Sequence, residues 1–264
     1  MAEVVRALAA EGLKLKRTRA LMLAIVAPTF VVAIQVSSGT TYLNPNVPSL
    51  SLGEQVFDTI FNMWIIIVFI LYLVLQIALL MNIDHVSSQW KHLFALPVSR
   101  TTIYLAKLFA GVILILFSNI LLLIETTIAI FVLSVAAPEL GISLAGVDIT
   151  YFFCVLLVVT VAAFFAIAFQ TWMSMRTRNF LAPVAIGFAG GFLNLIALSS
   201  SFLQKFSPWT YPLDVHRMLS VTTSSVSEYI YSGWPLPLLL TISITGGIAV
   251  TCYALYELNR KDAY

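Results

Sequence analysis

The amino-acid sequence predicts an all-α polytopic membrane protein with six transmembrane helices, an amphipathic helix at its N-terminus and both termini in the cytoplasm. Three observations lead to this fold class. Of the 264 residues, 60% are hydrophobic and only 10% are charged, whereas a water-soluble domain carries about 25% charged residues. Six apolar stretches approach the roughly 20 residues with which a helix crosses a bilayer. Nearly all basic residues fall on one side of the membrane if these stretches are spans.

The same composition excludes several other classes of protein. Disorder requires low hydrophobicity and high net charge, and this chain has neither property. Its formal net charge is only +2 at pH 7, and the sequence offers no large basic face with which to neutralise phosphates. Nucleic acid is therefore not an expected partner. The whole chain, 1–264, is expected to form a single transmembrane domain in contact with membrane lipid.

The predicted spans follow from the apolar stretches, which must be helical because backbone polar groups in lipid have to pair internally. Their approximate bounds are 21–36, 60–83, 103–136, 151–173, 180–199 and 236–256. The third stretch is longer than one span needs, and two half-spans could turn at Ser118-Asn119 or at Glu125. We favour one long helix that projects from the membrane, because neither glycine nor proline marks a turn there.

The orientation follows from the positive-inside rule. With the N-terminus inside, twelve of the 14 lysines and arginines lie on the cytoplasmic side, and only Lys205 and Arg217 lie outside. This asymmetry also supports an even number of spans. The largest outer connection is then the loop 200–235.

Residues 2–19 have the pattern of an amphipathic helix in the plane of the membrane surface. Leu8 and Leu15 share its apolar side, whereas Glu11 and Lys14 belong to the polar side. The alternative is that this segment is only the solvated start of the first span.

A second short helix is predicted at 84–96, on the cytoplasmic side between the second and third spans. Trp90, Leu93 and Phe94 share one face of it, and Pro97 disfavours the helical conformation at the residue before it. An exposed apolar face of this kind marks a contact surface, but the same aromatic residues are also typical of the membrane interface. The residue pattern leaves both interpretations open.

Catalytic, cofactor-binding and metal-binding motifs are absent from the sequence, so no residue is assigned to any of these roles. His85 and His92 are predicted inside and His216 outside, and they cannot share one metal ion. A membrane-embedded enzyme acting on lipid or peptide would need an acid, base or nucleophile clustered at one depth. An ATP-independent carrier would be favoured by internal repeats, and the two halves of the chain show no convincing similarity.

Four residues in the spans are candidates for a substrate path or a dimer contact. Glu125 is an ionisable group at membrane depth, which is costly unless it faces a cavity or a partner. Counted from Ile103 or Lys107, however, it should lie near the outer boundary of the membrane, where it costs little. Gly187 and Gly191 have the spacing that lets helices approach closely, and Asn194 follows in the same span.

Three motifs of the chain resemble the membrane subunits of type-2 ABC exporters. They are the amphipathic start EGLKLKRT at 11–18, the run QWKHLFALPVSR at 89–100 and the sequence IYLAK at 103–107. Together they look most like the lantibiotic-immunity permeases of the MutE/EpiE kind.

This resemblance implies a function and partners. Helix 2–19 would be the elbow helix, and helix 84–96 the coupling helix that docks on a separate ATPase subunit. The coupling residues implied are Asp84, Trp90, Lys91, Leu93, Phe94 and Arg100. Two ATPase copies would bind ATP and Mg, and a second permease chain, identical or related, would complete the complex in the cell membrane. The resemblance implies outward transport of a hydrophobic or amphipathic substrate such as a peptide antibiotic. The permease itself would not be an enzyme.

Overall fold

The computed structural model describes residues 2–16, 18–38, 51–86, 98–177, 179–197, 205–219 and 234–260, and within them the chain is helical with no β-strand. A π-helical turn, Trp64–Val68, and a 3-10 turn, Pro138–Leu140, accompany the α-helices. In chain order the α-helices are α1 (Ala2–Leu15), α2 (Arg19–Ser37), α3 (Leu52–Met63), α4 (Phe69–Val86), α5 (Arg100–Ala136), α6 (Ile149–Ala162), α7 (Phe164–Arg176), α8 (Leu181–Ala197), α9 (Tyr211–Leu219) and α10 (Leu236–Arg260).

The predicted amphipathic helix 2–19 corresponds to α1, which is a few residues shorter than expected and separate from the helix of the first span. Helix α1 ends at Leu15, and α2 begins at Arg19 after the N-cap Thr18. The Thr18 side chain accepts a hydrogen bond from the backbone N–H of Leu21 at 3.4 Å. A capping threonine satisfies a free N–H at a helix start, so the chain turns here and α1 can leave the axis of the first span.

The second predicted span begins earlier than its apolar residues do. Ser51 and Glu54 form a capping box at the start of α3, in which each side chain binds the backbone N–H of the other residue. The helical segment therefore starts at Leu52 and continues through the π-helical turn and α4 to Val86. Phe57 and Phe61 of α3 pack against Phe152 of α6 with ring centroids 4.6 and 5.4 Å apart.

The third apolar stretch is one unbroken helix, α5, and it does not turn at Ser118-Asn119 or at Glu125. It packs beside α2 in a register defined by two hydrogen bonds. Ser118 donates to the carbonyl oxygen of Ala24, and Thr29 donates to the Glu125 carboxylate. In this register the start of α2 lies level with about residue 113 of α5. The first turns of α5 therefore extend about 20 Å below α2, at 1.5 Å per residue.

The fourth apolar stretch is bent. Helices α6 and α7 meet at Ala163 with an angle of 46° between them. The Ser243 hydroxyl of α10 lies at the break, where it donates to the Ala162 carbonyl oxygen at 2.8 Å and accepts from the Phe165 N–H at 3.3 Å. Gly246 and Gly247 of α10 leave the space that the Phe165 and Phe164 rings occupy. The bend is thus stabilised by a neighbouring helix.

Four helical stretches are long and apolar enough to cross a bilayer, and the bent pair of α6 and α7 makes a fifth if it is one span. The predicted span 180–199 corresponds to α8, whose 17 residues fall short of the roughly 20 that a straight crossing needs. The described residues therefore support four or five spans, and the sixth stays a prediction.

The helix bundle has two ends, and different helix termini lie at each of them. One end, here called the α1 end, contains α1, the first turn of α5 and the last turns of α4, α7 and α10. Two contacts join helices at this end: His85 contacts the Ser174 carbonyl oxygen, and Arg100 donates to the Leu258 carbonyl oxygen. At the far end, α9 packs on α6 and the π-helical turn. Most of α9, which belongs to the predicted outer loop 200–235, is buried.

His216 of α9 is enclosed among helices of the far end. Its Nε2 atom lies 3.0 Å from Oδ1 of Asn62, and the side chain is 2% exposed. Burial, together with the positive charge of Arg217, lowers the pKa of His216 to about 4 from its ordinary value of 6.5.

We expect the stability of the protein to fall between pH 6.5 and pH 4 because of His216. In this window the unfolded chain takes up a proton that the folded histidine does not bind, so the folded state loses stability as the pH decreases. The loss should approach 3 kcal/mol, at about 1.4 kcal/mol per pH unit. Thermal unfolding in detergent, followed from pH 7.5 to 4, should show this slope, and the variant His216→Gln should flatten it. Equal slopes for both proteins would contradict the assignment.

Candidate functional site

Four charged side chains from three helices form a buried cluster at the α1 end, here called the charge cluster: Glu11 and Lys14 of α1, Asp84 of α4 and Lys107 of α5. Lys14 Nζ lies 2.9 Å from Glu11 Oε1 and 3.1 Å from Asp84 Oδ1. Lys107 Nζ lies 3.1 Å from Glu11 Oε2 and also contacts Asp84 Oδ2. Each lysine thus bridges both carboxylates, so the cluster joins the three helices.

The charge cluster is balanced, with two positive and two negative groups. Asp84 and Lys107 are fully buried, and Glu11 is 6% exposed. Burial tends to lower the pKa of Lys14, but the hydrogen bond and charge of Glu11 and the charge of Asp84 outweigh it, so the pKa of Lys14 is raised. Charges out of water are tolerated only when they are paired and hydrogen-bonded. The stability of the charge cluster therefore depends on all four side chains.

The position of Glu11 and Asp84 differs from the sequence-based expectation. Glu11 belongs to the predicted polar face of the elbow helix, but in the structure it lies with Leu8 and Leu15 on the face that packs against the bundle. Asp84 is predicted to begin the coupling helix and to contribute to a docking surface. It lies instead in the last turn of α4, buried by its ion pairs. In both cases the reason is the pair of lysines, Lys14 and Lys107, each of which contacts both carboxylates.

The charge cluster flanks the chain segment 87–97. Asp84 lies just before this segment and Arg100 just after it. The predicted coupling residues Trp90, Lys91, Leu93 and Phe94 belong to the segment itself and lie outside the described residues. Both ends of the segment are consequently held by contacts to other helices, Asp84 to α1 and α5 and Arg100 to the last turn of α10.

A second set of contacts ties α7 to α10 at the same end. Trp172 donates from Nε1 to Glu257 Oε2 at 2.8 Å, and Arg176 Nε lies 3.6 Å from Glu257 Oε1. The Arg176 guanidinium also lies over the Trp172 ring, 5.6 Å from its centroid. Helices α1, α4, α5, α7 and α10 are therefore cross-connected around the two ends of segment 87–97.

Glu125 lies deeper in the bundle than its distance along the sequence indicates. Its Oε1 atom accepts a hydrogen bond of 2.6 Å from Thr29, which lies near the middle of α2. If the 19-residue apolar helix α2 crosses the bilayer as one straight span, its midpoint lies about 15 Å from either surface. The contact with Thr29 thus favours a deeper position than the expected one near the outer boundary, because the first turns of α5 extend beyond the start of α2.

The other candidate residues of the spans lie elsewhere. A Cβ atom added to Gly187 would lie 2.5 Å from Val74, and one added to Gly191 would lie 3.1 Å from Ile70, both in α4. These glycines thus provide close packing between α8 and α4. Asn194 follows in α8. The structure places Glu125 against α2, so it does not bring the carboxylate together with the glycine pair.

Glu11, Lys14, Lys107 and Thr29 are site residues that the sequence-based assignment omitted. One signal was available for the cluster: Lys107 sits in an apolar helix, and a lysine in such a place needs a partner. Counting it as an inner-surface charge hid this requirement. No sequence signal links Thr29 with Glu125, because the register of α5 on α2 is a tertiary feature.

These features define a multi-pass helical membrane protein whose helices are joined at the α1 end by buried ion pairs and hydrogen bonds. Residues 7–194 match the model of the ABC-2 family transporter proteins, and because the match covers more than half of the chain, the chain belongs to this family. It is a membrane permease component of an ABC transporter. Permeases of this family work together with an ABC ATPase. No curated protein and no solved structure matches the chain. The more specific resemblance to lantibiotic-immunity permeases stays a prediction.

Removing the Lys107 charge should destabilise the protein strongly. In the variant Lys107→Met, two buried carboxylates share one lysine, and breaking a buried ion pair in this way costs about 3–5 kcal/mol. We expect a lower midpoint of thermal unfolding in detergent at pH 7.5. The matched control is Lys16→Met, since Lys16 is exposed just beyond α1. Adding Glu11→Gln to Lys107→Met should restore part of the stability. A Lys107→Met variant as stable as the control would rule out the assigned role of the cluster.

Proposed function

We propose that this chain is the permease subunit of an ATP-driven exporter that moves a hydrophobic or amphipathic substrate outward across the cell membrane. The observation that carries the proposal is the family match over residues 7–194. The chain supplies the membrane path, and a separate ATPase supplies the energy by binding ATP and Mg. A peptide antibiotic is the substrate that the resemblance to immunity permeases suggests.

The coupling segment in this proposal is 87–97, with Trp90, Leu93 and Phe94 as apolar anchors and Lys91 at the rim. The contacts on either side of the segment support this role. The charge cluster holds its start, and the Arg100 contact to α10 holds its end. A displacement of the segment would therefore reach α1, α4, α5 and α10 together. Asp84 and Arg100 then position the segment rather than contact the ATPase.

The proposed complex contains two permease chains and two ATPase subunits, with the α1 end in the cytoplasm. The charge distribution supports this orientation. The described basic residues at the α1 end include Arg6, Lys16, Arg19, Arg176 and Arg260, whereas Lys205 and Arg217 lie at the far end. Positive residues are retained on the cytoplasmic side. ATP-driven closure of the two ATPases would then shift the permease pair between inward-open and outward-open states.

Replacing Trp90 should uncouple the permease from its ATPase. A buried aromatic anchor at a protein interface contributes about 2 kcal/mol or more, which corresponds to roughly thirtyfold weaker association. We expect Trp90→Ala to retain the wild-type unfolding midpoint but to lose most permease-dependent ATP hydrolysis and most transport when the complex is reconstituted in liposomes. The matched control Trp90→Phe should keep most of both activities.

The same experiment distinguishes the other classes of function. A soluble protein with a Walker motif should co-purify with the tagged wild-type chain, and less of it with Trp90→Ala. If Trp90→Ala transports and stimulates ATP hydrolysis at the wild-type level, segment 87–97 is not the coupling surface.

A further inference from the structure

Glu125 differs from the side chains around it because it carries a negative charge when ionised. It is level with Thr29, near the middle of α2, and it is only partly covered by the bundle. The side chains around it on the outer faces of α2 and α5 are apolar and exposed, namely Ile25, Val26, Phe30, Ile120, Ile124 and Ile128. Glu125 and Thr29 therefore form a small polar site in an apolar surface that faces away from the core.

The carboxylate is incompletely satisfied by the protein. Oε1 accepts the hydroxyl of Thr29, but Oε2 is buried without a hydrogen-bond partner. Among the residues that the structure describes, no lysine, arginine or histidine forms an ion pair with Glu125. An unpaired carboxylate at this depth is costly and points to a partner from outside the described chain. The missing partner is a cation or a hydrogen-bond donor.

A second copy of the chain is a poor source of that cation. A two-fold contact through this surface would place the same patch on both sides. The exposed side chains of the patch are apolar apart from Thr29 and Glu125, so a second copy would bring another carboxylate instead of a positive charge.

We propose that Glu125, oriented by Thr29, binds the positively charged group of a lipophilic cation that enters from the bilayer between α2 and α5. The apolar side chains around the carboxylate accept the hydrophobic part of such a molecule, and the carboxylate accepts its charge. The depth of the site favours a cation that can leave the headgroup layer over one that is anchored in it. This assignment rests on the proposed transport function and specifies its substrate class as amphiphiles with a cationic group.

The test measures binding of tetraphenylphosphonium to the full-length permease in phosphatidylcholine nanodiscs, with empty nanodiscs subtracted. Tetraphenylborate, which has the same shape and the opposite charge, is the matched ligand. We expect Glu125→Gln to weaken tetraphenylphosphonium binding at least tenfold and to leave tetraphenylborate unaffected. Glu139→Gln removes an exposed carboxylate from the 3-10 turn and should bind like the wild type. Glu125→Asp keeps the charge and should retain most of the binding.

Three results would overturn the proposal. They are wild-type binding no higher than in empty nanodiscs, unchanged binding by a correctly folded Glu125→Gln variant, and a Glu125→Gln variant that loses dimers while it binds the cation normally. The last result would assign Glu125 to a contact between copies. Because no ATPase is needed here, a failure of this test leaves the Trp90 experiment on the permease function independent.

Discussion

The burial of Lys107 is the constraint on which the α1 end of the molecule depends. A lysine with no exposed surface has to be neutralised where it lies, and only carboxylates that approach from neighbouring helices can do this. Glu11 arrives from α1 and Asp84 from α4. An amphipathic helix that could have lain free on the membrane is thereby fixed against the two helices that carry segment 87–97. In the proposed mechanism, the same contacts make α1 part of the structure that moves when the segment moves.

Inside the hydrocarbon layer a related constraint selects how the helices pack. Polar side chains there pair with each other across helices because lipid offers no alternative partner. Trp64 donates to Asn119, and Asn119 donates in turn to Thr160, so that the π-helical turn, α5 and α6 meet at one level. Ser243 pairs with the backbone at the break between α6 and α7. Glu125 follows this pattern only in part, because Oε1 pairs with Thr29 while Oε2 has no partner among the described residues.

The sequence predicts those features that depend on local composition. The bounds of the first and last spans, 21–36 and 236–256, agree closely with Arg19–Ser37 and Leu236–Arg260, because an apolar run is visible in one dimension. No proline or glycine marks the bend at Ala163 in the sequence. The residue that stabilises the bend, Ser243, lies on a helix that is adjacent in space but about 80 residues further along the chain. The burial of Lys107 is invisible in the sequence for a similar reason: a lysine at the start of an apolar run resembles a charge at the membrane boundary, and its partners come from other helices.

The charge cluster and Glu125 lie on the same helix, and this connects the two parts of the proposed function. Lys107 and Glu125 are separated by about 27 Å along α5, at 1.5 Å per residue, with no proline between them and no break in the helix. At the α1 end, the position of α5 is fixed by the contacts of Lys107 with Glu11 and Asp84. Near the middle of α5, it is fixed by hydrogen bonds to Ala24 and Thr29 of α2. If α5 moves with the coupling segment, its contacts with α1, α4 and α2 would all be affected by the same movement. The Thr29–Glu125 hydrogen bond joins the outer faces of α2 and α5, so movement of α5 relative to α2 would change the exposure of the carboxylate directly. In the proposed mechanism, α5 would thus link the coupling segment to the cation site, because the same helix carries Lys107 and Glu125.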